Sequence, residues 1–556
     1  MAEALKMLTA LRPQVEKVTK PLSVDRHPFE DYLSNPYMRK FLGLLTQKGA
    51  DGQCYLEKLF SSYDRPDLSV MEKVKYGLPH QLIEVFRNKA GVSKDVIKEK
   101  VFHHQPTVRS LVNTAKSIAT YGLTTPQRFV APLIVVWNIT QACNLTCKHC
   151  YQDATHKPLA DELTWEEKQR VLDEMADSYV PFVAFAGGEP LVCKDIWKVL
   201  EHCKKRKIHV TVATNGTMLT REVCQRLVEV GVKYVEVSLD SVDPDEHDSF
   251  RGLRGAWKRS TEGIRNVATT PGLRAGIATC FTRQNVHTAD DMINLAKDLG
   301  CTTFVHFNFI PVGRGKEIAQ YDLTPAQREN LLRTLNRFLQ EGEISIMSTA
   351  PQFGRACIVY GSEDGLMATG HAGSGRGKQT KVLSKYIGGC GAGRCYCSIQ
   401  PNGRVNPCVY IPSHEVGDLR KSHFLDIWNN SLFDLLSDRD DRGDHCGICD
   451  YRHYCGGCRA RAVSYTGDIQ AGDPGCVYNI HEWEEITASQ KNQLVVLGQN
   501  AYPGSLLAGM TDGKLGSTEK APDVLLNQLS TVLDDVVGQR ALSGAEGAGA
   551  SAHGDD

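Results

Sequence analysis

The stretch Trp137 to Tyr151 reads WNITQACNLTCKHCY, and its three cysteines, Cys143, Cys147 and Cys150, set the reading of the whole chain. Their spacing is C-x3-C-x2-C, directly after an apolar run of strand-forming residues, Leu133 to Ile139. Three thiolates at such short intervals can hold three irons of a four-iron, four-sulfur cluster. The fourth iron then has no protein ligand and can bind a small chelating molecule, which a closed structural site cannot. Zinc held by the triad with His149 or another donor is the alternative. Structural zinc sites usually come as paired C-x2-C, and no such partner lies nearby in the sequence.

Outward from this loop, one unit repeats from 130 to 315: an apolar strand, then an amphipathic helix. The expected strands are Leu133–Ile139, Phe182–Ala186, Ile208–Ala213, Tyr234–Leu239, Ala275–Phe281 and Thr303–Ile310, each followed by Gly, Asn, Asp or Pro. Thr164 to Glu167 has the capping-box pattern, and Val171, Leu172, Met175, Ala176 and Tyr179 then recur at helical spacing. Thr220 and Thr288 are further expected helix N-caps. Six such units predict an α/β fold with a parallel sheet, short of a full eightfold barrel. Chemistry in such folds sits at the C-terminal ends of the strands. There the sequence places the cysteine loop, Gly187-Gly188-Glu189-Pro190, Thr214-Asn215-Gly216, Ser238 with Asp240, Arg283-Gln284-Asn285 and Pro311-Val312-Gly313. The two glycines let backbone approach a ligand closely, and Glu189 can accept from an ammonium group. An ordinary strand-end turn is the plain alternative for Gly187 to Pro190, and a helix cap is the plain alternative for Asp240.

Taken together, these residues resemble the radical S-adenosylmethionine superfamily. The resemblance implies a partial (β/α)6 barrel and one four-iron, four-sulfur cluster on Cys143, Cys147 and Cys150. The open iron then chelates the amino and carboxylate groups of S-adenosylmethionine, and one electron cleaves that cofactor to methionine and a 5′-deoxyadenosyl radical. The cofactor carries the hard chemistry and the protein positions it. The same resemblance assigns Gly187, Gly188 and Glu189 to the methionyl amino group, Ser238 and Asp240 to the ribose, and His149 to the slot beside the adenine.

The region 390–476 holds a second cysteine group: Cys390, Cys395, Cys397, Cys408, Cys446, Cys449, Cys455, Cys458 and Cys476. So many thiols in turn-rich text point to metal, with a zinc ribbon as the alternative because C-x2-C pairs occur there too. The arrangement resembles the SPASM extension of the same superfamily, which implies two auxiliary four-iron clusters. By that resemblance Cys390, Cys408 and Cys458 serve the first, with Cys395 as fourth ligand and Cys397 an equal claimant. Cys446, Cys449, Cys455 and Cys476 serve the second. The last spacing is x2 where the general pattern has x3, which bears on Cys458. The other cysteines, Cys54, Cys193, Cys203, Cys224, Cys280, Cys301 and Cys357, read as small buried hydrophobes, with Cys357 in an irregular segment.

The text TAPQF at 349–353, GGCGAGRCYCSIQPNGRVNPC and CGGCRARAVSYTGD with DPGC resembles the branch that processes tetrapyrrole side chains in alternative haem and haem d1 biosynthesis. The implied function is an oxidoreductase that abstracts hydrogen from a substrate, with a tetrapyrrole side chain as first reading. Maturation of a ribosomal peptide and carbon–carbon bond formation on membrane lipid chains are the alternatives; a zinc-binding structural module is the non-enzyme one. A small-molecule, peptide or lipid substrate and an electron donor such as flavodoxin or ferredoxin are the implied partners.

Among 556 residues the net charge is −1, so no global basic field points to nucleic acid. Nineteen cysteines without a secretory signal fit a reducing cytoplasm. No run approaches the roughly 20 apolar residues that span a bilayer. The expected organisation is a helical N-terminal region (1–125), the barrel (130–315), a linker (316–389), the SPASM domain (390–480), C-terminal helices (481–542) and a disordered tail (543–556). In the first of these, Val108, Leu111, Val112, Ala115, Ile118 and Ala119 form an apolar face with Arg109, Asn113 and Lys116 opposite. Such a face packs on a core, or alternatively lies on a membrane surface. Leu525, Leu529, Val532, Leu533, Val536 and Val537 form a second stripe.

Overall fold

Six apolar runs become the strands β1 (Ile134–Asn138), β2 (Phe182–Ala186), β3 (His209–Thr214), β4 (Tyr234–Ser238), β5 (Arg274–Phe281) and β6 (Thr303–Asn308). The structure, a computed structural model, describes residues 28–496 apart from 91–92, 363 and 369–373. The expected stripe from Leu525 to Val537 and the expected tail at 543–556 lie outside the described residues. Every residue of β1, β2, β4 and β6 is buried. Helices cover both faces of a parallel sheet, so its strands read as continuous apolar runs rather than alternating ones. Each strand pairs in parallel with the next in chain order. The sheet stays open at its ends, which gives a partial barrel in a mixed α/β fold.

Two additions extend the sheet beyond the six strands. The segment expected as a linker supplies β7 (Ser345–Ser348), parallel to β6, and a separate hairpin of β8 (Leu366–Ala368) and β9 (Ser374–Arg376). The cysteine-rich segment supplies β10 (Tyr396–Ile399), which pairs in parallel with β1, followed by the antiparallel β11 (Arg404–Asn406) and β12 (Gly417–Asp418). The strand that carries the Cys143 loop is therefore an interior strand, flanked by β2 and β10.

The helix caps follow local chemistry in two of three cases. Thr164 and Glu167 form the full capping box on Trp165–Asp177, and Thr220 accepts from Val223 N. Thr288 stands at the N-cap position of Ala289–Asp298 but makes no side-chain cap bond: its hydroxyl donates to Asn285 O at 2.8 Å, in the short 3-10 turn that precedes the helix. The helix Gln105–Tyr121 packs on a core of its own: Val108, Val112 and Ala115 meet Leu56, Leu59, Phe60 and Phe102. Of its expected polar face Arg109 and Asn113 are buried and Lys116 is half-buried, while Leu111 of the expected apolar face is exposed. Arg109 donates to Val180 O at 3.1 Å and Ala176 O at 2.5 Å, and Asn113 to Ala131 O at 3.0 Å. These bonds tie the N-terminal helices to the chain entering β1 and β2. The seven scattered cysteines are all buried, and Cys357 lies in the helix Gln352–Tyr360 rather than in an irregular segment.

Candidate functional site

The cysteine loop leaves β1 and lies across the C-terminal rim of the sheet. Its base is closed by Cys143 N donating to Thr155 O at 2.7 Å. The turn after β2 packs against it backbone to backbone: Gly188 N donates to Thr140 O and Glu189 N to Ala142 O, both at 2.8 Å. A Cβ on Gly188 would stand 2.0 Å from Ala142 O, so no side chain is admissible there. On the opposite flank Lys148 N donates to Phe250 O at 2.7 Å and Arg314 N to Cys150 O at 3.1 Å. Gly313, at φ +55°, would place a Cβ 2.5 Å from Cys150 O. The loops after β1, β2, β4 and β6 thus hold each other, and they frame a narrow cavity. Cys143, Cys147 and Cys150 line it together with Gly187, Gly188, Asn215, Ser238, Arg251 and Arg314.

This donor set suits the expected group. Three soft sulfur ligands share a cavity with glycine backbone, a hydroxyl and two guanidiniums, which fits a three-cysteine cluster and a ligand bearing amino, carboxylate and hydroxyl groups. Burial and the neighbouring Cys147 and Glu189 push the Cys143 thiol up to about 12. A thiol held so high is deprotonated through metal binding rather than by solvent.

Three of the expected cofactor contacts sit differently. Glu189 does not line the cavity. Its carboxylate accepts from Thr214 Oγ1 at 2.7 Å, Asn215 N at 2.8 Å and Leu191 N at 3.1 Å, so it locks the ends of β2 and β3 together. Asp240 faces Arg251, with an Nη2 to Oδ2 distance of 2.6 Å, and also accepts from Cys280 N at 3.0 Å. It neither caps the next helix, a task of Asp243, nor lines the cavity. The His149 ring stacks on Phe250 at 4.4 Å, 11° from parallel, and burial beside Arg251 and His247 holds it well below the ordinary histidine pKa.

Arg251 is the residue that motif reading missed. It is fully buried, it donates towards Cys147 Sγ at 3.8 Å, and Asp240 holds it in place. Its only sequence signal is an arginine eleven positions after Asp240 at the end of the helix Pro244–Arg251, which has no periodic meaning. Arg314, anchored by a bond to Ala154 O at 2.9 Å, was missed for the same reason.

The second cysteine group divides in two. Asp473 N and Asn479 Nδ2 donate to Cys446 Sγ at 3.4 and 3.5 Å, and Gly457 N donates to Cys455 Sγ at 3.4 Å. Cys395 N donates to Gly391 O at 3.1 Å, beside Cys390, whose own N donates to Cys455 O at 2.8 Å. Cys397 points into the main core from β10, and burial alone raises its thiol. Cys408 follows β11 and packs against the same core. The text that carries the resemblance to the tetrapyrrole branch assembles here into one network. Gln352 donates to Asp473, Asp473 accepts from Cys458 N at 2.8 Å, and Arg461 donates to Asn308 Oδ1 at 2.8 Å and Phe309 O at 2.6 Å. Arg461 therefore bolts the cysteine-rich segment to the end of β6. Among the described residues no helix is long and apolar enough to cross a membrane.

Comparison with known proteins bears on this geometry. The family model described as "Radical SAM superfamily" matches residues 137–321, and one described as "Iron-sulfur cluster-binding domain" (SPASM) matches 390–458. The AdoMet-dependent heme synthase of Methanosarcina barkeri is 33% identical over 350 residues, 63% of this chain and 97% of that protein. The mycofactocin maturase MftC of Mycobacterium tuberculosis is 29% identical over 353 residues, 62% of this chain and 83% of that protein. Among solved structures, Streptococcus suis SuiB bound to S-adenosylmethionine aligns with a TM-score of 0.54 at 16% identity, over 76% of this chain and 92% of that one, a likeness of fold.

Proposed function

The chain belongs to the radical S-adenosylmethionine superfamily and carries its SPASM iron–sulfur domain, and from that premise we propose that it abstracts hydrogen from a tetrapyrrole side chain. It is an enzyme whose cofactors are S-adenosylmethionine, a four-iron, four-sulfur cluster and auxiliary clusters in the SPASM domain. When bound, the cofactor and its cluster supply a 5′-deoxyadenosyl radical by one-electron reductive cleavage. The observation that carries the reading is the single cavity shared by Cys143, Cys147, Cys150, the Gly187-Gly188 turn and Ser238.

In this proposal the three thiolates hold the cluster, and the backbone of Gly187 and Gly188 with Ser238 positions the cofactor. Arg251 and Arg314 supply positive charge at the cavity wall. Glu189 acts indirectly, by fixing Asn215 and Thr214 at the rim. Cys390, Cys395, Cys408 and Cys458 hold the first auxiliary cluster and Cys446, Cys449, Cys455 and Cys476 the second. Cys395 is favoured over Cys397 because it shares its surroundings with Cys390. An electron donor of the flavodoxin or ferredoxin kind supplies the reducing equivalent.

The tetrapyrrole assignment is supported by the heme synthase likeness, which spans nearly all of that protein. A peptide substrate is the second reading, favoured by the 29% identity to a maturase. Anaerobically reconstituted protein with dithionite and S-adenosylmethionine should release 5′-deoxyadenosine, and Cys147→Ala should not. Adding an iron tetrapyrrole bearing propionate side chains should change that compound's mass. Turnover of a peptide instead, with the tetrapyrrole unchanged, would overturn the substrate and leave the radical chemistry standing.

A further inference from the structure

Four arginines are buried around the second cysteine group: Arg394, Arg439, Arg442 and Arg459. Burying a guanidinium is costly unless an anion compensates it. Elsewhere the protein meets this demand with carboxylates. Arg251 pairs with Asp240, Arg328 with Asp322 and Arg355 with Glu329, and Arg461 stands between Asp322 and Asp473. Arg109, buried at the other end of the sheet, lies over the Tyr179 ring, whose hydroxyl binds Glu57.

Among the described residues, none of the four has a carboxylate at ion-pair distance. Their hydrogen bonds go to carbonyls. Arg394 reaches Ile387 O and Gly388 O, and Arg439 reaches Gly388 O at 2.7 Å and Cys390 O at 3.1 Å. Arg442 reaches Leu436 O, and Arg459 reaches Ile469 O at 2.9 Å and Ala471 O at 2.6 Å. Carbonyls orient a guanidinium but do not cancel its charge. Arg442 Nε and Nη1, Arg459 Nη2 and Arg394 Nε have no acceptor among the described residues. The arginines sit where the cysteines are. Arg439 bonds the Cys390 carbonyl, Arg394 directly precedes Cys395 and Arg459 directly follows Cys458, and a Cβ on Gly457 would meet both Arg459 Nη2 and Cys446 Sγ within 3 Å.

A four-iron, four-sulfur core held by four thiolates is a dianion in its oxidised state, and a three-thiolate cluster carries one negative charge less. We propose that Arg394, Arg439, Arg442 and Arg459 are the counter-charges of the auxiliary clusters and raise their reduction potentials. The proposal rests on the auxiliary-cluster reading above. Reduction adds a negative charge to each cluster, and fixed positive charge in a low-dielectric interior favours the reduced state.

The test is an anaerobic redox titration, followed by electron paramagnetic resonance, of the reconstituted full chain in which Cys143, Cys147 and Cys150 are changed to Ala. Only auxiliary signals then remain. Arg439→Met and Arg442→Met should shift the reduction equilibrium about tenfold towards the oxidised form, about 59 mV for a one-electron couple, and Arg439→Lys should restore most of it. Unchanged potentials with iron and sulfide retained would overturn the proposal. Loss of iron in the Met variants but not in the Lys variant supports it; loss in both assigns the arginines to packing and overturns it. A parent chain that binds no iron in this background would instead refute the auxiliary clusters themselves.

Discussion

Glu189 is fully buried, and burial raises its carboxyl from 4.5 to about 7 although three hydrogen bonds favour the ionised form. A folded-state pKa above the unfolded one means that the folded protein binds the extra proton. The contribution to stability is complete below pH 4.5 and is lost as pH rises to about 7. Wild-type stability should therefore fall by about 2 kcal/mol, relative to Glu189→Gln, between pH 5.5 and 7.5. Urea unfolding of the two proteins across that range reads the difference, and parallel profiles would refute it. Arg251 makes the opposite case, a charge kept by its partner. Arg251→Met leaves Asp240 buried and unpaired and should cost about 3–5 kcal/mol, part of which Asp240→Asn in the same chain restores. Denaturant midpoints of the single and double variants check this. Neither role was legible in the motifs, because a motif names a residue type and not the direction its side chain takes.

At the scale of elements, the loops after β2 and β6 approach the cysteine loop so closely that two glycines are obligatory. Gly188→Ala should push the Ala142 carbonyl away and carry Cys143 with it. A displacement of about 1 Å at a reacting centre costs on the order of a hundredfold in rate. The expected result is that large a loss of 5′-deoxyadenosine formation while the fold, read by circular dichroism, persists. An equally active Gly188→Ala would show that the turn is an ordinary strand end. The six strands were legible because each is largely buried on both faces and reads as a mostly apolar run. β7 and β10 were not, since strands of four residues carry too little pattern to stand out. The polar side of Gln105–Tyr121 misled for a related reason. Arg109 and Asn113 look solvent-facing by composition, yet they satisfy carbonyls at strand entrances.

Across the whole molecule, the SPASM segment and the barrel share one sheet. β10 covers the edge of β1, Trp428 Nε1 donates to Phe129 O at 2.8 Å, and Arg461 grips the end of β6. A chain ending at residue 389 would expose β1 as a bare apolar edge, a template for aggregation. Such a truncation should lose soluble yield and the cluster proposed on Cys143, Cys147 and Cys150 together, rather than retain about a third of the iron. Iron analysis and size-exclusion chromatography of the truncated chain distinguish the two outcomes.

The sequence alone determined the chemistry and the frame. Cysteine spacing, strand-helix alternation and the Gly187 to Pro190 turn are local, and local spacing survives in one dimension. The tertiary structure alone decided which charges meet. Asp240 with Arg251, Glu189 with Thr214 and Asn215, and four arginines gathered on the SPASM cysteines are pairings across long stretches of chain. Such contacts leave no period in the sequence. They arise because burial makes every unmatched charge costly, and only the folded chain determines which partner is within reach.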